Sequence, residues 1–206
     1  MNLFSILAKG GIIVWLIGLL SVIGLAVVIE RYLVLRRARR DVEAFMSKVR
    51  ALVDQGNAKE ALALATMTEG PIASIVKAGL EHLGKRREEI KTYVEEQARL
   101  EIYRLEKNLN LLATVAAISP LLGFLGTVTG MIRAFMAVQA LGGSVDASVL
   151  AGGIWEALVT TAVGLTVGIP AYFFYNYFVG KVQEIVFFME KSALEILDLA
   201  EKQGGP

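Results

Sequence analysis

Three long apolar runs constrain this chain more than any other feature. About 20 apolar residues are needed to cross the roughly 30 Å hydrocarbon core of a bilayer. Residues 12–29 and 109–132 are uncharged, and residues 152–180 carry a single charge, on Glu156. The pattern therefore predicts an all-α integral membrane protein with three transmembrane helices.

The first run is predicted to remain in the mature protein as a helix. It is longer than the ~7–15 apolar residues of a signal peptide, and no small-residue cleavage site follows it. The segment that follows is ERYLVLRRARR, which carries five arginines. Such a basic flank is typical of a stop-transfer signal rather than of a cleaved leader.

Composition excludes several classes of function. The chain is 55% hydrophobic, above the about 45–50% of an average soluble domain. It has no cysteine and one histidine, His82, so a disulfide framework, a cysteine metal cage and a histidine cluster are all excluded. A net charge of +1 gives no electrostatic case for binding nucleic acid. No cofactor or metal is expected.

The distribution of basic residues predicts the orientation. Lysines and arginines follow the first run and precede the second, whereas the connection QALGGSVDASVLA contains none. The predicted order is a periplasmic N-terminus (1–11), a first span (12–29), a cytoplasmic helical domain (30–108), a second span (109–138), a periplasmic loop (139–151), a third span (152–180) and a cytoplasmic C-terminal helix and tail (181–206).

The segments beside the spans are predicted to be helical. Gly56 and Asn57 separate two helices, and Gly70-Pro71 begins another. From about Arg86 a charged pattern without glycine or proline continues into the second span, which predicts one long helix. The third span is expected to continue as an amphipathic C-terminal helix, so the second and third spans both extend into the cytoplasmic domain.

Small residues recur at helical spacing in the second and third runs. The positions are Gly123, Gly126 and Gly130 in the second, and Gly164 and Gly168 in the third. Small residues four apart let two helix backbones approach closely. The pattern indicates helix packing, and it is also compatible with thin walls around a central cavity.

Glu156 is the residue that most needs an explanation. An ionised carboxylate in hydrocarbon costs at least ~2.5 kcal/mol, so it usually faces a partner or water. An antiparallel hairpin places Arg133 level with Glu156, and a bridge that only fixes the hairpin is one interpretation. Thr127 and Thr161 share the outer half of the pair. Thr160 lies on the same face as Glu156 and is a further candidate for a polar path, whereas Thr161 is ~140° around the helix from Glu156. Hydrogen bonds to their own helix are the simpler explanation for the threonines.

Two stretches resemble the MotA/TolQ/ExbB proton-channel family, in particular its ExbB/TolQ branch. They are ISPLLGFLGTVTGMIRAF (118–135) and GGIWEALVTTAVGLTVGIPAYFFYNYF (152–178). The resemblance implies that Glu156 is the pore glutamate and that Thr127 and Thr161 are polar pore positions, which would hydrogen-bond water or a partner carboxylate. The family pattern does not dictate an arginine at position 133.

The resemblance also implies partners and a location. Members form a homopentamer in the bacterial inner membrane around a single-span partner of the ExbD/TolR kind, which carries a membrane aspartate. Proton flow through the complex drives a periplasmic or outer-membrane process, with a TonB- or TolA-like energy transducer as a further partner. The energised system, whether nutrient import, envelope maintenance or motility, stays open.

Three other classes of function compete with this interpretation. A non-conducting scaffold would use Glu156 and Arg133 as a static bridge. A secondary transporter is disfavoured because three spans without an inverted repeat do not build its binding site. An enzyme is least favoured, since the sequence contains no nucleophile–base pair, metal cluster or phosphate-binding loop.

Overall fold

The computed structural model describes residues 11–38, 42–140 and 147–204, and within them the regular secondary structure is helical. The helices are α1 (Gly11–Ala38), α2 (Val42–Asp54), α3 (Ala58–Met67), α4 (Pro71–Glu81), α5 (Arg87–Glu106), α6 (Leu109–Ala140) and α7 (Ala147–Gly204). The predicted all-α class is confirmed.

Among the described residues, three helical stretches are long and apolar enough to cross a membrane. They lie within Gly11–Asp54, Arg87–Ala140 and Leu150–Lys202, which confirms the three predicted spans. Pro120 and Pro170 lie inside α6 and α7, and both helices continue through them. Helix also covers both ends of the predicted loop 139–151, while its residues 141–146, like the N-terminal residues 1–10, lie outside the described part of the chain.

The chain divides into two compact units. The apolar unit contains the chain up to Glu30 together with Asn108–Tyr177. The polar unit contains Arg31–Lys107 and the chain from Phe178 onward. Helices α1 and α7 each contribute residues to both units.

The apolar unit exposes large apolar side chains on all three of its helices. Examples are Ile12, Trp15, Leu19, Leu121, Phe124, Phe135, Leu158, Ile169 and Phe173, each at least 60% exposed. A water-soluble monomer rarely exposes such a contiguous apolar surface. The exposure fits helices that contact lipid or neighbouring subunits.

The polar unit has an interior formed by α2–α5 and the C-terminal part of α7. The C-terminal helix buries a stripe made of Val182, Ile185, Met189, Ile196 and Leu197, with Val186 and Ala193 partly buried. Ion pairs add to this packing: Arg50 of α2 contacts Glu195, and Arg87 at the start of α5 contacts Glu201 and Asp198. The C-terminal part of α7 therefore buries one apolar stripe and exposes its other faces.

The single helix predicted from Arg86 into the second span is wrong. Helix α5 ends at Glu106, α6 begins at Leu109, and Asn108 between them has a φ of 63°. Asparagine is among the few residues that adopt this left-handed conformation at low cost. Its side-chain amide also donates a 2.7 Å hydrogen bond to Glu30, which stabilises the interruption.

A buried arginine side chain binds the C-terminal end of α5. The last carbonyls of a helix lack intrahelical partners and carry partial negative charge. Arg31 is 2% exposed, and its Nη1 donates to the carbonyl oxygens of Arg104 at 3.2 Å and Leu105 at 3.4 Å. The first arginine of the basic flank therefore stabilises a helix end inside the polar unit.

Candidate functional site

Helices α6 and α7 contact each other through glycines in the apolar unit. A Cβ added at Gly123 would lie 3.0 Å from the Thr160 carbonyl oxygen, and one at Gly164 would lie 2.6 Å from the Ser119 carbonyl oxygen. These distances leave no room for any side chain, so the two backbones touch directly.

The other candidate packing glycines lie on the same contact. A Cβ at Gly126 would meet the Thr160 side chain at 2.5 Å, and one at Gly130 would meet Ala157 at 2.9 Å. Gly168 accommodates the ring of Pro120, whose Cγ would lie 2.5 Å from an added Cβ. The structure thus places all five predicted packing glycines along one antiparallel interface.

Glu156 and Arg133 form an ion pair across this interface. The distance from Arg133 Nη2 to Glu156 Oε1 is 3.0 Å, and the side chains are 58% and 28% exposed. Arg133 Nε also donates to the Thr129 carbonyl oxygen at 3.4 Å. The structure therefore has the hairpin register expected from the sequence, in which these two residues lie at the same depth.

The two adjacent threonines of α7 have different environments. Thr160 is 2% exposed, lies against Gly126, and donates its hydroxyl proton to the Glu156 and Ala157 carbonyl oxygens at 2.9 and 2.8 Å. Thr161 donates across the interface to the Gly123 carbonyl oxygen at 2.9 Å. Thr160 is therefore occupied in packing, while Thr161 joins the two helices.

Thr127 is not brought together with Glu156 by any contact in the described structure. Its hydroxyl donates to the Phe124 carbonyl oxygen in its own helix at 2.6 Å. Its side chain is half-buried, one position along α6 from the fully buried Gly126. It therefore lies at the edge of the α6–α7 contact rather than inside it.

Three residues at this site were missed in the sequence. A Cβ at Gly11 would lie 3.5 Å from Glu156 Oε1, and its φ of +64° favours glycine in any case. Gly153 contacts Ala134, and Ser119 is fully buried opposite Gly164. Gly153 could have been found by extending the small-residue spacing of α7 toward its N-terminus. By contrast, no feature of the sequence around Gly11 indicates that it lies near Glu156.

Replacing Thr161 with valine is expected to weaken the α6–α7 contact by about 1 kcal/mol, since the only change at constant shape is the lost interhelical hydrogen bond. The melting temperature of the detergent-purified protein should fall by about 2–4 °C. Thr166→Val is the matched control, because the Thr166 hydroxyl is exposed and bonds only to Ala162 of its own helix. Equal melting temperatures for the two variants would contradict the bridging role.

Comparison with known proteins identifies the family of the chain. Residues 67–191 match the MotA/TolQ/ExbB proton channel family, a stretch that covers more than half of the chain and includes all of α6 and Glu156. The chain belongs to this family. Among the described residues, no group of acidic, histidine or cysteine side chains could hold a metal ion.

Individual MotA/TolQ/ExbB relatives share about a third or less of their residues with this chain over long alignments. A putative biopolymer transport protein ExbB homolog of Methanothermobacter thermautotrophicus is 29% identical, over 85% of this chain and 62% of its own length. ExbB-like protein 1 of Synechocystis is 35% identical, over 79% of this chain and 65% of its own. The Tol-Pal system protein TolQ of Pseudomonas aeruginosa is 27% identical, over 90% and 86%. The chain thus spans less than two thirds of the first two relatives.

Proposed function

We propose that this chain is the proton-channel, or stator, subunit of an inner-membrane motor that uses the proton motive force to energise a periplasmic or outer-membrane process. The process would be import of the TonB type or envelope maintenance of the Tol type. The observation that carries the proposal is a partly exposed carboxylate, Glu156, on an apolar helix of a chain that belongs to a proton-channel family.

A proton path needs a polar surface inside the membrane, and the α6–α7 pair supplies one. Glu156 keeps 28% of its side chain exposed despite its bridge to Arg133. Thr127 and Thr161 offer hydroxyl oxygens to water, whereas Thr160 is buried in packing. We assign Glu156 to the electrostatics of the path and the two threonines to hydrogen bonding along it.

One copy has too few helices to enclose a path, so the pore is proposed to form between copies. The large apolar side chains exposed on α6 and α7 fit a homo-oligomer, and family resemblance favours five subunits. A single-span partner of the ExbD/TolR kind would occupy the centre and carry the proton-accepting aspartate. A TonB- or TolA-like transducer would receive the work.

The orientation follows from the basic residues that flank the spans. We propose a periplasmic N-terminus and a cytoplasmic C-terminus, so that the polar unit lies in the cytoplasm. A charge that crosses a potential of ~100 mV releases ~2.3 kcal/mol, and a few protons suffice for a mechanical step.

The experiment is a flux measurement on the complex co-purified with its single-span partner, a short protein with one apolar span and a membrane aspartate that is to be sought in the neighbouring reading frames. After reconstitution into vesicles that contain a pH-sensitive dye, an imposed potential is expected to drive proton uptake. The mass of the same complex in mild detergent tests the pentamer. A complex of the expected mass that shows no proton flux into the vesicles would contradict the proposal that it is a proton channel.

A non-conducting scaffold is the second candidate, and the ion pair between Arg133 and Glu156 favours it specifically. In a scaffold the bridge only holds α6 against α7, so exchanging the two charges should preserve its role. In a channel the carboxylate has to sit on α7. The charge-exchanged variant Arg133→Glu/Glu156→Arg therefore separates the two functions. A variant that assembles but loses the proton flux of the wild-type complex supports the channel. Assembly without proton flux in both the wild type and the variant supports the scaffold.

A further inference from the structure

Arg133 places a fixed positive charge directly beside the carboxylate of the proposed path. One oxygen of Glu156 lies 3.0 Å from the guanidinium, and Arg133 is held further by its bond to the Thr129 carbonyl oxygen. A Cβ added at Gly11 would lie in ordinary van der Waals contact with that same carboxylate oxygen, at 3.5 Å. One oxygen of the only charged acceptor in residues 152–180 is therefore already occupied.

A metal cation and a proton make different demands on such a site. A hard metal cation replaces its water shell with several oxygen ligands, and it is attracted by uncompensated negative charge. An arginine next to the carboxylate cancels that charge and removes one ligand. A proton travels through hydrogen-bonded water and needs no ligand cage.

We propose that Arg133 is a selectivity-determining residue, which keeps sodium ions out of the path by neutralising Glu156 as a cation ligand. The inference rests on the proposed function, since it assigns to that same path its preference for protons. It does not require Glu156 to bind or release protons itself.

The test compares sodium and proton uptake by vesicles that contain the complex with its single-span partner, using a sodium-sensitive and a pH-sensitive dye. Arg133→Gln should raise the ratio of sodium to proton flux about tenfold, because the carboxylate regains its attraction for cations. Arg133→Lys keeps the positive charge and should retain the wild-type ratio. The double variant Arg133→Gln/Glu156→Gln has no carboxylate to bind sodium, so its sodium flux should stay at the wild-type level even though its proton flux falls.

Two results would overturn the inference. One is proton flux in Arg133→Gln with an unchanged ratio of sodium to proton flux; the other is an equal rise of sodium flux in the double variant, which would indicate a general leak. If Arg133→Gln does not reconstitute, its melting temperature in detergent is compared in sodium chloride and choline chloride at equal ionic strength. Specific stabilisation by sodium, absent in the wild type, supports the inference, and its absence overturns it. A wild-type complex without proton flux would instead contradict the proposed function.

Discussion

Replacing Glu156 with alanine is expected to lower proton flux through the reconstituted complex by about 100-fold or more, the usual cost of removing one preorganised group that stabilises a developing charge. Assembly should survive, because Glu156 is not fully buried and the unpaired Arg133, already 58% exposed, can turn toward water. Flux is measured with a pH-sensitive dye, and assembly by the mass of the complex in mild detergent.

The matched control for this loss is Glu190→Ala. Glu190 is an exposed carboxylate on the same helix, in the part of α7 that belongs to the polar unit. Its removal takes away the same charge and should leave proton flux unchanged. Full flux in the Glu156→Ala complex would refute the role proposed for this carboxylate.

Adding one methyl group at Gly164 is expected to produce the largest loss of stability. The Cβ of Gly164→Ala would lie 2.6 Å from the Ser119 carbonyl oxygen and 2.9 Å from the Gly123 Cα. These are backbone atoms, which cannot move aside by changing a rotamer, so α6 and α7 must separate. A cost of about 3 kcal/mol is expected, and the melting temperature should fall by about 10 °C.

Gly152→Ala provides the comparison on the same helix. Nothing lies within 4 Å of the position its Cβ would take. Alanine there should be neutral or slightly stabilising, because it favours helix by up to about 1 kcal/mol relative to glycine. Similar melting temperatures for the two variants would show that the close α6–α7 contact does not hold in the purified protein.

The spans could be predicted from sequence because a bilayer imposes a length and a polarity that local composition reports directly. That Arg133 and Glu156 lie at the same depth could also be predicted, since a short antiparallel connection fixes the register of both helices. The interruption at Asn108 could not. Its neighbours fit a helical pattern, and the amide of Asn108 is bound by Glu30, a residue 78 positions away that no local pattern connects to it.

The site could be predicted only in outline. Spacing alone shows that Thr160 and Thr161 cannot share one narrow surface, because consecutive residues lie about 100° apart on a helix. Which of them faces α6 depends on the partner helix: Gly126 provides the space that Thr160 fills, and the Gly123 carbonyl accepts from Thr161. The proximity of Gly11 to Glu156 likewise depends on a third helix.

The direction in which the threonine hydroxyls donate their protons determines which ions they can bind. Thr127 and Thr161, the two threonines of the site that are not fully buried, each give their one O–H proton to a backbone carbonyl oxygen. Only lone pairs then remain on the side facing any solvent, so these groups can receive a proton-bearing neighbour but have nothing to offer an anion. In this conformation, the threonines favour a hydronium ion or an un-ionised acid over hydroxide or carboxylate.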